Sequence, residues 1–338
     1  MTVGEWLERW LAGPLKRTVS ESTYQDYEYR SHTYLIPAIG DVKLKDLTAE
    51  HLDMLYEDLS SGEASPSGKP LSATTVGHVH ATIRVALQRA VKKRVVPYNV
   101  ARDAEPPKAT RREYPTLSKD QLVAFFKAAA ETEDRFEALF IVWTLAGPRP
   151  GELLGLRWSD LRLPEAPGEP GELILRRSWS ASRKGAYMRE TTKTGKGRPV
   201  YLLPEAVAAL KAHRLRYLNE KMRYREIWNA AWQKDPRYED LVFPSTAGTP
   251  MSHNNLNRRH LKPLLERAGV PPMRPYDLRH TFATLWLESG ESGESVKILQ
   301  EILGHSRITL TLNTYAHVTP HMQREAFGRF GQGFSSSS

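Results

Sequence analysis

Apolar side chains recur along the first hundred residues at intervals of three and four, the spacing of one helix face. Trp6, Leu7, Trp10 and Leu11 follow Thr2 and Glu5, a pair suited to a capping box that satisfies free backbone N–H groups of the first turn. A second helix is expected from about residues 20–23, ending before Pro37 and Gly40, because proline lacks the N–H that a helix interior needs. Thr48 reads as the N-cap of a third, with Leu47 and Leu52 placed as a hydrophobic staple. A fourth is expected over 72–93, where Val76, Ile83, Leu87 and Val91 lie along one stripe. Arg89, Lys92, Lys93 and Arg94 at its end suit a helix C-terminus and equally the phosphates of a nucleic acid.

The texture changes from Ala101 to Thr116. Pro106, Pro107 and Pro115 alternate there with Lys108, Arg111 and Arg112, the composition of an extended basic linker. The expected organisation is a helical domain over 1–100, a linker over 101–116, a larger domain over 117–334 and a disordered serine tail at 335–338. Ser118 and Gln121 form another capping box, followed by one apolar helix and a second that reaches Leu145. Residues 163–171, rich in Pro, Gly and Glu, read as a surface loop. Strands are expected over 173–175, 187–191 and 199–203, with a turn at Gly195, Lys196 and Gly197 between the last two. Helical patterning resumes at Glu205 and continues, with breaks, to Phe330. Within it Trp228 and Trp232 share a helix face and read as core packing. The fold class is therefore mainly α, a helical domain followed by a larger one with a small antiparallel sheet.

Charge and composition narrow the partners. The 338 residues carry 48 Lys and Arg against 39 Asp and Glu, a formal net charge of +9. That balance suits a polyanion, of which nucleic acid is the commonest, and also suits a plain basic surface. There is no cysteine, which excludes a disulfide scaffold, a thiolate nucleophile and a cysteine zinc site, and fits a reducing cytoplasm. Neither a signal-peptide pattern nor a membrane-length apolar run is legible, so no membrane partner is expected.

Cleaving a phosphodiester without a metal requires a nucleophile, cations around the non-bridging oxygens and an acid for the leaving oxygen. Candidates lie in four separated stretches. In the first, Gly147, Pro148, Pro150 and Gly151 flank Arg149, with Glu152 close enough to orient its guanidinium. The second places Lys193 beside the glycine turn of the expected hairpin. Tyr276, Asp277, Leu278, Arg279 and His280 make the third, at a helix start. The fourth runs Leu303, Gly304, His305, Ser306 and, ten residues beyond His305, Tyr315. Taken singly, each is an ordinary helix terminus or a solvated turn.

Together and in this order, these stretches resemble the catalytic-domain signature of the tyrosine recombinase family. The Leu303-Gly304-His305-Ser306 to Tyr315 segment and the run from Leu278 to Thr284 are the most specific parts. The first hundred residues are similar to the family's helical, SAM-like core-binding domain, so the resemblance covers nearly the whole chain. It implies the DNA breaking-rejoining type of catalytic domain. It also implies that Arg149 and Arg279 hold the scissile phosphate, that Lys193 protonates the leaving 5′ oxygen and that His305 bonds a non-bridging oxygen. Glu152 would support the pocket. Tyr315 would attack phosphorus and form a 3′-phosphotyrosyl bond, whose stored energy calls for neither ATP, metal nor other cofactor. The family usually carries histidine where Tyr276 stands. Tyrosine can donate a hydrogen bond to phosphate but cannot carry an imidazolium charge. His280 points elsewhere on the helix and is assigned a packing role.

Two basic clusters are expected to face the DNA. One holds Arg176, Arg177, Arg183, Lys184, Lys196 and Arg198; the other holds Arg258 and Arg259. After Tyr315, Thr319 and Pro320 suit the start of a terminal helix striped by Met322, Ala326 and Phe330. By resemblance that helix docks on a neighbouring protomer, linking a homo-tetramer on two duplexes that bear specific recombination sites, with exchange through a Holliday junction. Docking on its own domain is the alternative. The expectation is an integrase of a phage or mobile element. A chromosome-dimer resolvase, a type IB topoisomerase and a non-enzymatic DNA-binding protein are the other readings.

Overall fold

The computed structural model describes residues 1–109, 114–182, 185–189, 197–289 and 295–305. It divides into two compact units, residues 1–113 grouped with 181–186 and the remainder from Tyr114 onward.

The first unit is helical. Helix α1 (Val3–Trp10) begins in the Thr2–Glu5 capping box, and Trp6 Nε1 donates to the Ala86 carbonyl at 3.0 Å. Helix α2 (Glu21–Arg30) is capped by Ser20 and runs on through a widened turn, Ser31–Leu35, into Ile36–Ile39. The expected stop before Pro37 does not occur. Pro37 sits in the first turn after the widened turn, where its missing N–H is tolerated. Helix α3 (Ala49–Ser61) is capped by Thr48, with Leu47 and Leu52 both buried, and ends at Gly62 with φ +101°. Helix α4 (Ala73–Lys92) buries Val76, Ile83 and Leu87 against this core.

The first core extends beyond residue 100. Asn99 Oδ1 accepts from the Ala101 N–H and starts a 3-10 turn, Val100–Arg102, which buries Ala101 and Ala104. Glu105 N–H donates to Asp53 Oδ1 at 2.7 Å. Ala101 and Ala104 thus pack with the first core. Arg111 and Arg112 lie outside the described residues.

The second unit is built around an apolar helix. Helix α5 (Lys119–Glu131) starts in the Ser118–Gln121 capping box. Helix α6 (Glu137–Ala146) is the centre of the core, with Leu139, Phe140, Val142 and Trp143 at 1 % exposure or less. Short helix α7 (Pro150–Leu154) follows. Strands β1 (Leu161–Arg162), β2 (Gly171–Leu175) and β5 (Arg198–Leu202) form an antiparallel sheet in the order β1-β2-β5, with Leu173 opposite Val200. Strands β3 (Ser178–Ser182) and β4 (Gly185–Arg189) form a separate hairpin.

This pairing corrects the expected hairpin of 187–191 with 199–203. Among the described residues β4 pairs with β3, and β5 pairs with β2. Strand β3, Ser-Trp-Ser-Ala-Ser, has too little apolar content to announce itself, whereas β5 has a buried face, Val200 and Leu202, that matches β2. Helices α8 (Pro204–Arg223) and α9 (Arg225–Lys234) come next. Trp228 and Trp232 are buried as expected, their indole N–H groups bonded to the carbonyls of Thr246 and Gly248. A helical run from His253 to Arg267 bends through a widened turn at Asn257–Leu261. Helices α10 (Asp277–Ser289) and α11 (Ser295–Leu303) close the described fold. No helix among the described residues is long and apolar enough to cross a membrane.

Candidate active site

The site begins at a helix break. Helix α6 ends at Gly147 in the left-handed region, φ +63°, where an added Cβ would lie 2.3 Å from Phe282 Cδ1. Both facts restrict the position to glycine. Pro150 then disfavours helical backbone at the residue before it, and Arg149 is extended at φ −69°, ψ 149°. Glu152, in the first turn of α7, closes the motif. Its Oε2 accepts from the Arg149 backbone N–H at 2.8 Å, and its Oε1 accepts from Arg149 Nη1 at 2.9 Å. The third contact of Arg149 is Nη2 to the Gly304 carbonyl, 2.6 Å.

Glu152 is 3 % exposed and has a second cationic partner. Arg198, at the start of β5, meets it fork to fork, Nη1 to Oε1 at 2.8 Å and Nη2 to Oε2 at 2.9 Å. Arg198 Nε also donates to the Ile302 carbonyl at 2.8 Å, tying the sheet to the end of α11. Burial opposes ionisation of Glu152, but bonds from Arg198 and charge from Arg198 and Arg149 outweigh it and hold the carboxyl at about 2.

Arg279 lies in α10 at 1 % exposure. Its Nη1 donates to the Gly147 carbonyl at 2.7 Å and its Nη2 to the Leu303 carbonyl at 2.6 Å. Nη2 also lies 3.1 Å from His305 Nε2. A guanidinium only donates, so that nitrogen accepts and the imidazole proton resides on Nδ1. His305 is held from behind, its carbonyl accepting from Gln300 Nε2 at 3.1 Å and its N–H donating to the Gln300 carbonyl at 3.0 Å. Burial first, then Arg279 and Arg149, push the His305 imidazole down to about 4, so it is neutral at physiological pH. Burial also lowers Arg279, to about 10, leaving it charged near neutrality.

Among the described residues the charges around Glu152 and Arg279 do not balance. Arg149 and Arg198 share the Glu152 carboxylate, while Arg279 finds carbonyl oxygens and one imidazole but no carboxylate among the described residues. A buried cation satisfied only by neutral acceptors is costly unless an anion completes its surroundings. The described contacts thus gather the Arg149 and Arg279 guanidiniums and the His305 imidazole around the Gly304 turn. Tyr276, 41 % exposed, lies in the turn that precedes α10.

Of the expected site residues, the fold brings together Arg149, Glu152, Arg279 and His305. Lys193 and Tyr315 lie outside the described residues, as do Arg183, Lys184, Lys196 and the expected terminal helix with Met322, Ala326 and Phe330. Among the other basic candidates, Arg176, Arg258 and Arg259 are exposed. Arg177 pairs with the buried Asp160 carboxylate, and the Arg198 side chain is only 16 % exposed beneath Glu152. These last two serve the interior. The role of Arg198 escaped sequence reasoning because its partner is distant in the chain. The only signal available was an arginine entering an alternating strand.

Residues 115–322 match the profile of the phage integrase family, and residues 2–60 that of the phage integrase N-terminal SAM-like domain. The XerC-like tyrosine recombinase of Caldanaerobacter subterraneus subsp. tengcongensis is 26% identical over 342 residues, covering 96% of this chain and 82% of that one. An integrase of Streptomyces ambofaciens is 28% identical over 318 residues, covering 93% and 74%. The Tn1549 transposon integrase, solved in complex with a circular intermediate DNA, shares the fold with a TM-score of 0.74 at 19% identity, over 98% of this chain and 99% of that one. A lambda integrase tetramer bound to a Holliday junction gives a TM-score of 0.59 at 16% identity, over 93% and 77%.

Proposed function

The chain belongs to the phage integrase family and is a tyrosine site-specific recombinase that cuts and rejoins DNA; from that premise we propose that Arg149, Arg279 and His305 seat the scissile phosphate. One observation carries this assignment above the others. The Arg279 guanidinium is 1 % exposed and, among the described residues, bonds only carbonyl oxygens and the His305 imidazole, an arrangement that favours an anion beside it. A phosphate supplies that charge and accepts from the forks of both arginines.

The roles follow from this placement. Glu152 and Arg198 do not touch the phosphate; they fix the direction of Arg149. Tyr276 donates its hydroxyl to the phosphate as a neutral group. Tyr315, its proton given up to water, attacks phosphorus through the phenolate oxygen, and the bond to the 5′ oxygen breaks. The product is a 3′-phosphotyrosyl linkage and a 5′ hydroxyl, whose proton comes from Lys193. An isolated phenol, pKa about 10, is a weak nucleophile at neutral pH, and the cations around the phosphate favour both phenolate and transition state. Rejoining is the same step in reverse, with a different 5′ hydroxyl.

The partner is double-stranded DNA carrying specific recombination sites. Phosphate contacts from exposed cations such as Arg176, Arg258 and Arg259 supply much of the affinity. The helices of residues 1–100 act as the core-type DNA-binding domain and 117–334 as the catalytic domain. Four copies act on two duplexes in the cytoplasm, linked through the C-terminal helix, in the manner of an integrase of a phage or mobile element. The test is a nicked duplex taken from any direct repeat found by sequencing the DNA on both sides of the coding region. The wild-type protein should become covalently joined to it and Tyr315→Phe should not. An adduct with Tyr315→Phe, or none with the wild type, overturns the assignment.

A further inference from the structure

Three rings form a row beside the phosphate pocket. Tyr114, 43 % exposed, stacks on His280 with centroids 4.4 Å apart and planes 14° apart. His280, 7 % exposed, meets Tyr276 at 5.3 Å and 58°. Tyr114 belongs to the segment that leads into the second unit, whereas Tyr276, in the turn before α10, and His280, in its first turn, flank Arg279 in sequence.

The segment is fastened to α10 at more than one point. The Leu117 N–H donates to Thr281 Oγ1 at 3.2 Å, and Leu117 is 1 % exposed. Pro115 disfavours helical backbone at Tyr114. Arg274 lies 5.5 Å from the Tyr114 ring centre and is itself fixed by the buried Asp277, Nη2 to Oδ1 at 3.0 Å and Nε to Oδ2 at 3.2 Å. Tyr114 is therefore held against the first turns of α10.

We propose that Tyr114 is a positioning residue for cleavage: its ring, through His280, aims the Tyr276 hydroxyl at the scissile phosphate. The inference rests on the reading of Tyr276 as a phosphate donor. A half-exposed tyrosine has rotamer freedom to lose, and the His280 ring limits it on one side only if His280 is itself immobile. The Tyr114 stack adds to the restraint that burial in α10 already places on His280. The ring face does this work, so phenylalanine should replace tyrosine at 114, while leucine or alanine should not.

Single-turnover cleavage of the nicked flanking-repeat duplex tests this, with duplex affinity and thermal unfolding measured on the same variants. Misaiming a group that contacts the reacting phosphate should slow Tyr114→Ala and Tyr114→Leu on the order of tenfold. Duplex affinity should change less than twofold, roughly, and Tyr114→Phe should cleave at the wild-type rate. In a Tyr276→Phe background, Tyr114→Ala should cause no further slowing, because the hydroxyl it aims is gone. Full multiplication of the two effects, or wild-type cleavage by folded Tyr114→Ala and Tyr114→Leu, overturns the proposal while leaving Tyr276 as donor. Wild-type cleavage by Tyr276→Phe alone removes the donor reading and this inference with it.

Discussion

Arg198 and Glu152 meet through two parallel hydrogen bonds of 2.8 and 2.9 Å, and the same carboxylate takes Arg149 Nη1 at 2.9 Å. One buried acid thus holds the Arg149 guanidinium while a second cation, Arg198, braces it. Arg198 is committed to the interior, whereas Arg176, Arg258 and Arg259 are exposed.

Glu152→Gln should show how much depends on that acid. It leaves Arg149 and Arg198 facing a neutral amide, and breaking a buried pair from one side costs about 3–5 kcal/mol. Urea unfolding should register a loss of that order, accompanied by loss of covalent adduct. Unchanged stability would mean that the carboxylate is dispensable to the fold.

Arg198→Ala and Arg258→Ala should differ in kind. Arg258 is exposed, so losing a phosphate contact there should weaken duplex binding and reduce the salt slope by about 1. Arg198, 16 % exposed and committed to Glu152 and Ile302, should leave that slope unchanged while lowering cleavage and stability. Affinity measured against salt concentration for both variants distinguishes the two roles.

These cases also show what a single chain makes legible. Arg149 and Glu152 can be paired by inspection because they stand three apart across a proline-flanked helix start, where only local geometry matters. Arg198 cannot, since its partner is 46 residues away and only the antiparallel match of β5 with β2 turns it inward. The capping boxes at Thr2 and Ser118 and the stripe of α4 are local patterns, and they appear as expected. The pairing of β4 with β3 is not local in that sense. Strand β3 is polar, so the run around Gly195 looked like the better turn. Pro37 misleads for a related reason, because the widened turn that accommodates it leaves no mark in composition.

Gly304 has a left-handed backbone, φ +62°, and a Cβ there would lie 2.9 Å from Arg198 Nη1. Gly304→Ala therefore meets strain and a clash with a fixed guanidinium, costing about 1–3 kcal/mol. Because the Gly304 carbonyl also accepts from Arg149, cleavage should fall with stability. A variant as stable and active as wild type would show that this turn is looser than the geometry implies.

Acid should weaken the fold in two ranges. His305 and His213 are both pushed down to about 4 from 6.5, chiefly by burial, so each stays neutral where the unfolded chain binds a proton. Their contribution is complete above 6.5 and is lost as pH falls toward 4. Glu152, held at about 2 against an ordinary 4.5, contributes fully above 4.5 and loses that contribution as pH falls toward 2. His213 stacks between Trp158 and Phe243, so His213→Phe should flatten the decline in unfolding free energy between pH 6.5 and 4. An equally steep decline in that variant would place the acid sensitivity elsewhere.

The most direct measurement is a structure of the protein bound to its nicked site, with the scissile phosphate in place. Its non-bridging oxygens should lie at hydrogen-bonding distance, about 2.7–3.0 Å, from Arg149, Arg279 and His305. A phosphate seated away from Arg279, with that guanidinium still bonded only to the carbonyls of Gly147 and Leu303, would contradict the account.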